Sequence, residues 1–374
     1  MAALKDALVA LISEEGPISV ERYMALCLGH PTLGYYTTRD PFGADGDFTT
    51  APEISQIFGE LLGLWAAQVW LDMGAPAPCR LIEIGPGRGT LMADALRAMA
   101  RALPACLDAL SVHMVETSPV LRRSQQATLA GRAGGVALHG RISWHERIEQ
   151  ALDGPAIILA NELLDALPVR QFVATPEGWH ERLVGLSADG SLCFGLAPGS
   201  TAGLGALLPA GTVLEVPHAA DALAGTLAAH VASHGGAALL IDYGAAEAGT
   251  GDTLQAVQRH RFVDPLAEPG EADLTTQVQF DRVRAAAIAG KARVHGPVAQ
   301  GVFLARLGLA QRAAALMRNA TEPQAAAIAA GAERLAGMEG RAPTAMATLF
   351  KAIAVADPRI GPIPGFDSLD GAGE

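Results

Sequence analysis

Arg80-Leu81-Ile82-Glu83-Ile84-Gly85-Pro86-Gly87-Arg88-Gly89 is the stretch whose reading decides the fold. Leu81, Ile82 and Ile84 form an apolar run too short for a helix and suited to a buried parallel strand. Three glycines at alternate positions follow, and Thr90-Leu91-Met92-Ala93-Asp94-Ala95-Leu96 then reads as a helix. Strand, glycine turn and helix N-terminus make a nucleotide cradle, because residues without Cβ let backbone and ligand approach closely. A dinucleotide fingerprint has glycine in first, third and sixth place; here the third glycine, Gly89, is fifth and Thr90 is sixth. The spacing speaks against a nicotinamide-dependent oxidoreductase.

Working outward, 111–116 reads as the second strand and ends on Glu116, with Ser118 and Pro119 opening the next helix. An acid at that strand end stands beside the cradle, and its two oxygens match the two hydroxyls of a ribose. An ordinary surface acid is the alternative. Residues 142–145 give a third strand. A further one, 155–162, is continuously apolar and then polar, with Asn161, Glu162 and, after Leu163-Leu164, Asp165 at its carboxyl end. Ligands of open α/β sheets sit off the carboxyl ends of the strands, so these groups fall where a transferred group meets its acceptor. Residues 237–244 read as a fifth core strand.

Between 169 and 196 short runs alternate with turns, which indicates an antiparallel meander inserted between core strands. Residues 252–278 read as irregular, marked by His260, Arg261, Asp264 and Pro265. Helices are expected over 218–233, 280–289 and 299–337, strands near 291–295 and 348–355, and a loose or strapped-down tail from Asp357. At the other end, helices over 2–14 and 19–28 precede an ordered loop over 34–50. The loop ends in Thr50-Ala51-Pro52-Glu53, a capping-box pattern, before Ile54, Ile57, Phe58, Leu61, Leu62, Trp65 and Val69 repeat at helical spacing.

The 374 residues imply a core with large additions. The expected division is an N-terminal helical segment (1–75), a core (76–355) carrying the meander (169–217) and an irregular insertion (245–280), and a tail (356–374). A net charge of −12 argues against nucleic acid as a partner and leaves room for a basic protein. Cys27, Cys79, Cys106 and Cys193 are scattered, without the paired spacing of a metal or redox site. The first residues read as an amphipathic helix rather than a signal or transit peptide. The longest uncharged run, 190–214, is broken by Gly, Ser and Pro and reads as a loop, not a membrane span. The expectation is a cytoplasmic protein.

Glu83, two residues before Gly-x-Gly-x-Gly, resembles motif I of S-adenosylmethionine-dependent methyltransferases. A longer series resembles the MidA-like family, that of the mitochondrial complex I assembly-factor methyltransferase. It comprises Gly34-Tyr35-Tyr36, Arg39-Asp40, Gly43, Gly46-Asp47-Phe48 and the run from Pro52-Glu53-Ile54-Ser55-Gln56 to Gly59-Glu60-Leu61-Leu62-Gly63. Asn161-Glu162-Leu163-Leu164-Asp165-Ala166-Leu167-Pro168-Val169, Ile241-Asp242-Tyr243-Gly244 and Pro269-Gly270-Glu271-Ala272-Asp273-Leu274-Thr275 complete it. Gln279, where the family commonly has Asp, and Thr49, where a larger aliphatic is usual, depart from the pattern. The resemblance implies a class I (Rossmann-like) α/β core of seven strands with an N-terminal helical segment and inserted meander and helices. It also implies S-adenosyl-L-methionine as cofactor and methylation of an arginine near the quinone pocket of the large matrix-arm subunit of complex I.

On that view Gly85, Pro86, Gly87 and Gly89 carry the cofactor, Glu83 holds its ammonium and Glu116 its ribose. Asp47 and Glu53 close over it as a lid. Glu162, Asp165 and Asn161 would hold the acceptor guanidinium, since carboxylates pair it bidentately and draw its charge away from the attacking nitrogen. Helix capping is the alternative for Asp165 and Glu53. A non-catalytic, cofactor-binding assembly scaffold is the competing function, and a homodimer is left open.

Overall fold

The structure is a computed structural model that describes residues 4–39, 41, 43, 46–47, 49–132, 141–247, 249–337 and 344–366. The apolar runs assemble into one sheet of strands β1 (Cys79–Ile84), β2 (Leu110–Val115), β3 (Ile142–His145), β4 (Ala156–Asn161), β5 (Gly236–Ala245), β6 (Arg293–Ala299) and β7 (Phe350–Ala356). Their order is β6-β7-β5-β4-β1-β2-β3. From β3 to β5 the strands are parallel; β7 runs antiparallel between β5 and β6. These seven strands of an eight-stranded sheet follow the class I order. Chain order reverses between β1 and β4, which opens a crevice at their carboxyl ends. The central parallel strands are mostly apolar because both faces are covered: Leu81, Ile82, Ile157, Ile158 and Leu240 are fully buried.

The chain divides into two units. The core unit comprises Thr49–Leu163, Ala224–Ala246 and Phe280–Glu374; the first unit comprises Met1–Phe48, Leu164–Leu223 and Glu247–Gln279. The segments expected at 1–75 and 76–355 therefore each contribute to both.

In the first unit, helices Leu4–Glu15 and Val20–Gly29 bury Leu8, Tyr23 and Met24 against Val184, Ala256 and Leu274. The meander is present as antiparallel strands Arg170–Thr175, Gly178–Leu186, Leu192–Thr201 and Val213–Val216, joined by Ile18–Ser19. Strand Leu192–Thr201 runs through half of the stretch expected to be loop, because backbone pairing with Gly178–Leu186 orders residues that bury little. Residues 252–278 are not irregular. Gln255–Gln258 pairs antiparallel with Arg261–Val263 and with Asp273–Thr275. Strands this short show no period, and one pairing partner lies far along the chain.

Within the core unit the expected helix from residue 51 is interrupted. Ala51–Ile54 is a separate turn of helix, and Ser55, in extended conformation, caps helix α1 (Gln56–Asp72) by accepting the Ile57 N–H at 3.3 Å. Helix α2 (Thr90–Ala102) packs on α1, and Gly59 and Gly63 set their spacing. A Cβ on Gly63 would stand 2.5 Å from the Ala95 carbonyl oxygen, and one on Gly59 2.8 Å from Asp94 Cβ. The tail is strapped to the core through Ile360 and Ile363 as far as it is described.

Gly63→Ala should push α1 off α2 and lower stability by about 1–3 kcal/mol, the usual cost of overpacking, read as a shift in the urea midpoint.

Candidate active site

The backbone turns from β1 into α2 through Gly85, Gly87 and Gly89 at φ of 65°, 52° and 80°, conformations that cost a residue with a Cβ. Space is as restrictive as conformation. A Cβ on Gly85 would meet Leu163 Cδ1 at 3.0 Å, and one on Gly89 would meet the Gln125 backbone at 3.3 Å. The Pro86 carbonyl accepts the Gly89 N–H at 2.7 Å and closes the turn.

Glu83, on β1, is 3% exposed, and its Oε2 has no hydrogen-bond partner. Burial pushes its carboxyl up to about 8, against a hydrogen bond from the Met92 backbone; the nearby Glu116 raises it further. A buried carboxyl oxygen without a donor is costly. Two residues before a glycine cradle, it fits the ammonium of an amino-acid-bearing nucleotide.

Glu116 sits at the end of β2, where the sequence placed it. Its Oε1 accepts the Ser118 N–H at 2.8 Å and its Oε2 the Gln125 side-chain amide at 3.1 Å. Carboxylate oxygens have about four lone-pair sites, so capacity for a ribose diol remains. Gln125 is the residue the sequence reading missed. It is fully buried in helix α3 (Pro119–Arg132), donates to the Gly87 carbonyl at 2.9 Å and accepts the Trp144 indole N–H at 2.9 Å. One amide thus ties the glycine turn to β2 and β3. The signal was available: Gln125 falls midway between Leu121 and Leu129, on the buried stripe of its helix.

Glu53 does not close the expected capping box: the Thr50 side chain makes no capping bond. The carboxylate instead accepts the Thr90 hydroxyl at 2.5 Å and lies 4.0 Å from Arg88, which places it against the cradle.

At the end of β4, just past Ala160, which pairs with the last residue of β1, stand Asn161 and Glu162. Glu162 is a non-glycine residue in the left-handed region, φ 52°. Its N–H donates to the Ile241 carbonyl at 2.8 Å, and the next N–H, of Leu163, to Asp242 Oδ2 at 3.0 Å. Asp242, wholly buried, also accepts the Tyr243 N–H at 2.8 Å. The strained elbow is thereby held from β5. Glu162 Oε1 accepts the Ala51 N–H at 2.9 Å and the Asn161 amide at 3.0 Å, while Asn161 Oδ1 is buried without a partner. Burial pushes the Glu162 carboxyl up to about 7, against those two donors and the charge of Arg334.

Asp47 and Asp165 belong to the first unit. Asp47 accepts the Tyr35 hydroxyl at 2.7 Å and the Arg259 N–H at 2.6 Å. Buried Asp165 accepts the Thr276 N–H on its carbonyl at 2.9 Å. His260 is exposed.

Two outcomes follow from this geometry. Glu83 has its carboxyl raised above the ordinary 4.5, so its contribution to stability is complete below that value and lost as pH rises through about 8. A cation delivered to it restores the carboxylate. S-adenosylhomocysteine binding near pH 7 should release about one proton, seen as a dependence of the calorimetric heat on the buffer. Glu83→Gln should abolish that release, weaken binding and raise the melting temperature at pH 9. Asp242→Asn turns a backbone acceptor into a donor and should cost about 1–3 kcal/mol of stability, measured in urea.

Comparison with known proteins agrees with this geometry. Residues 61–298 match the family of S-adenosyl-L-methionine-dependent methyltransferases. The protein arginine methyltransferase NDUFAF7 homolog of Drosophila melanogaster, a mitochondrial protein, is 38% identical across 94% of this chain and 84% of its own. Human mitochondrial NDUFAF7 is 39% identical across 83% and 75%. A COG1565 superfamily member from Burkholderia thailandensis, solved with S-adenosyl-homocysteine, is 30% identical over 97% of this chain and 93% of that one, with a TM-score of 0.81. The mitochondrial relatives overturn the expectation of a cytoplasmic protein, which rested on the character of the first helix, the scattered cysteines and the broken uncharged run. The cradle, the unpaired acid beneath it and these likenesses agree: the chain belongs to the S-adenosyl-L-methionine-dependent methyltransferase family.

Proposed function

We propose that this chain methylates an arginine of a protein, and that the protein is the large quinone-pocket subunit of respiratory complex I. The observation that carries the reading is the Asn161–Glu162 pair, a buried amide oxygen without a donor beside a carboxylate, just past the residue that pairs with the end of the cradle strand. The relatives named protein arginine methyltransferases support it.

Bound at the cradle, S-adenosyl-L-methionine supplies a methyl group on an already activated sulfonium. Glu83 would hold its ammonium, Glu116 and Gln125 the ribose side, and the glycine turn its close approach. The remaining work of the chain is alignment. Glu162 Oε1 is already held by Ala51 and Asn161, so the other oxygen and Asn161 Oδ1 are the acceptors for guanidinium N–H groups. A carboxylate there draws positive charge toward itself and leaves more electron density on the attacking nitrogen. No strong base is required before transfer, because the nitrogen that accepts the methyl becomes strongly acidic and loses one proton to solvent, leaving methylarginine a monocation.

The ionised form of Glu162 is the one that pairs a guanidinium. Below about 7 the free enzyme carries the neutral acid; above it, the carboxylate. kcat/KM for transfer of labelled methyl to the purified subunit should rise with pH through about 7 and then level. Glu162→Gln should lose that rise and about 10- to 100-fold in rate, the range for a charged hydrogen bond, while S-adenosylhomocysteine binding is retained. Methylarginine in the subunit's digest is the expected product. Label on another residue type, or an unimpaired Glu162→Gln, overturns the reading.

A further inference from the structure

Two residues singled out in the sequence, Asp47 and His260, meet at a hairpin that the chemistry above does not use. Strands Gln255–Gln258 and Arg261–Val263 are joined by Arg259 and His260, both at positive φ, 48° and 60°. Such turns are normally made by Asn-Gly or Asp-Gly, which take that backbone without strain. Here the conformation is imposed by Asp47, whose Oδ1 accepts the Arg259 N–H at 2.6 Å and whose carbonyl accepts the His260 N–H at 3.2 Å. The hydroxyl of fully buried Tyr35 fixes the other carboxylate oxygen at 2.7 Å. The clamp holds a tip whose side chains all face solvent: Arg259, His260 and Arg261 are exposed, and Phe262 is 76% exposed, the most of any large apolar side chain described.

The tip also reverses the local charge. In a chain of net charge −12, it has two arginines, a histidine and no acid over four residues. Among the described acids near the hairpin, Glu271 pairs with Arg39 at 2.7 Å, Glu268 accepts from Gln258 at 3.4 Å, Asp264 accepts the Leu266 N–H at 2.9 Å, and Asp47 is held against the tip's backbone. Screening confines recognition to charges within about 10 Å, so a short segment at the tip meets the arginines rather than the chain's overall charge. A long polyanion would meet both, which disfavours nucleic acid.

We propose that the Arg259–Phe262 tip docks the protein substrate, receiving an acidic segment that carries one apolar side chain, with carboxylates on the arginines and the apolar group on Phe262. The proposal rests on the protein-methylation reading. Rigid presentation by the Asp47 clamp lowers the ordering cost of docking. Opposite signs at the tip and over the rest of the surface would fix the orientation of a substrate whose acceptor region is basic and whose docking segment is acidic.

The test uses the full chain, its Arg259→Glu/Arg261→Glu and Phe262→Ser variants, and the purified quinone-pocket subunit. S-adenosylhomocysteine affinity and melting temperature check that the variants fold. Subunit binding and steady-state methylation are then measured at two salt concentrations. Docking by the tip predicts a KM for the subunit about tenfold or more higher in both variants, with kcat unchanged. The charge-reversed variant should also lose the salt dependence of binding. Variants with wild-type KM and salt dependence overturn the docking proposal and leave arginine methylation standing. A wild-type enzyme that neither binds nor methylates the subunit overturns the reading of function, and the docking proposal with it.

Discussion

The hydrogen bond from the Leu163 N–H to Asp242 is the constraint on which the acceptor end of the site depends. It fixes the residue after a left-handed elbow, and so decides where two neighbouring side chains go. Glu162, before it, directs its carboxylate to the Ala51 N–H. Leu163 itself packs where a Cβ on Gly85 would stand. The cradle and the Asn161–Glu162 pair are thus coupled through one residue, and a side chain at Gly85 would have to displace the end of Leu163.

The site is held at a cost to the free protein. Glu83 and Glu162 both sit where burial favours the neutral acid, and one oxygen of Glu83 and one of Asn161 lack donors. A chain selected for stability alone would place amides or apolar groups there. Each group instead has the charge preference that a cationic ligand reverses, in the proposed reading an ammonium at Glu83 and a guanidinium at Glu162. The unfavourable burial in the free state therefore becomes selectivity for positively charged ligand groups, because only a cation recovers the carboxylate.

The parallel core was legible because strands buried on both faces carry short apolar runs, as 81–82, 156–160 and 237–241 do, and the cradle because three alternate glycines have few other uses. Glu116 and Asn161–Glu162 followed from topology, which puts strand ends beside the crevice. What was not legible depended on partners distant in the chain. Residues 252–278 pair by backbone bonds that leave no side-chain period. Glu53 fits a capping box by spacing, yet it bonds Thr90 on another helix. Gln125 looked like one more polar helix residue, although its place between Leu121 and Leu129 marked it as facing inward.

Three of the motifs that carried the family resemblance, and the Gln279 position that departs from it, have a further property in common. Of the five points where the chain passes between units, one lies beside Gly46-Asp47-Phe48, one inside Asn161-Glu162-Leu163-Leu164-Asp165, one just after Ile241-Asp242-Tyr243-Gly244 and one at Gln279-Phe280. Only the crossing at Leu223 falls within an ordinary helix. The physical reason lies in the sheet. The carboxyl ends of β4 and β5 are where ligands bind an open α/β sheet, and also where the chain leaves it. A residue at such a point must redirect the backbone and present a functional group together, which few sequences do. Glu162 combines a left-handed backbone that turns the chain with a carboxylate held by the Ala51 N–H. The specificity of these motifs therefore reflects chain routing as well as chemistry, and it explains why Asp47 and Asp165, read from the same motifs as ligand residues, belong to the first unit rather than to the core.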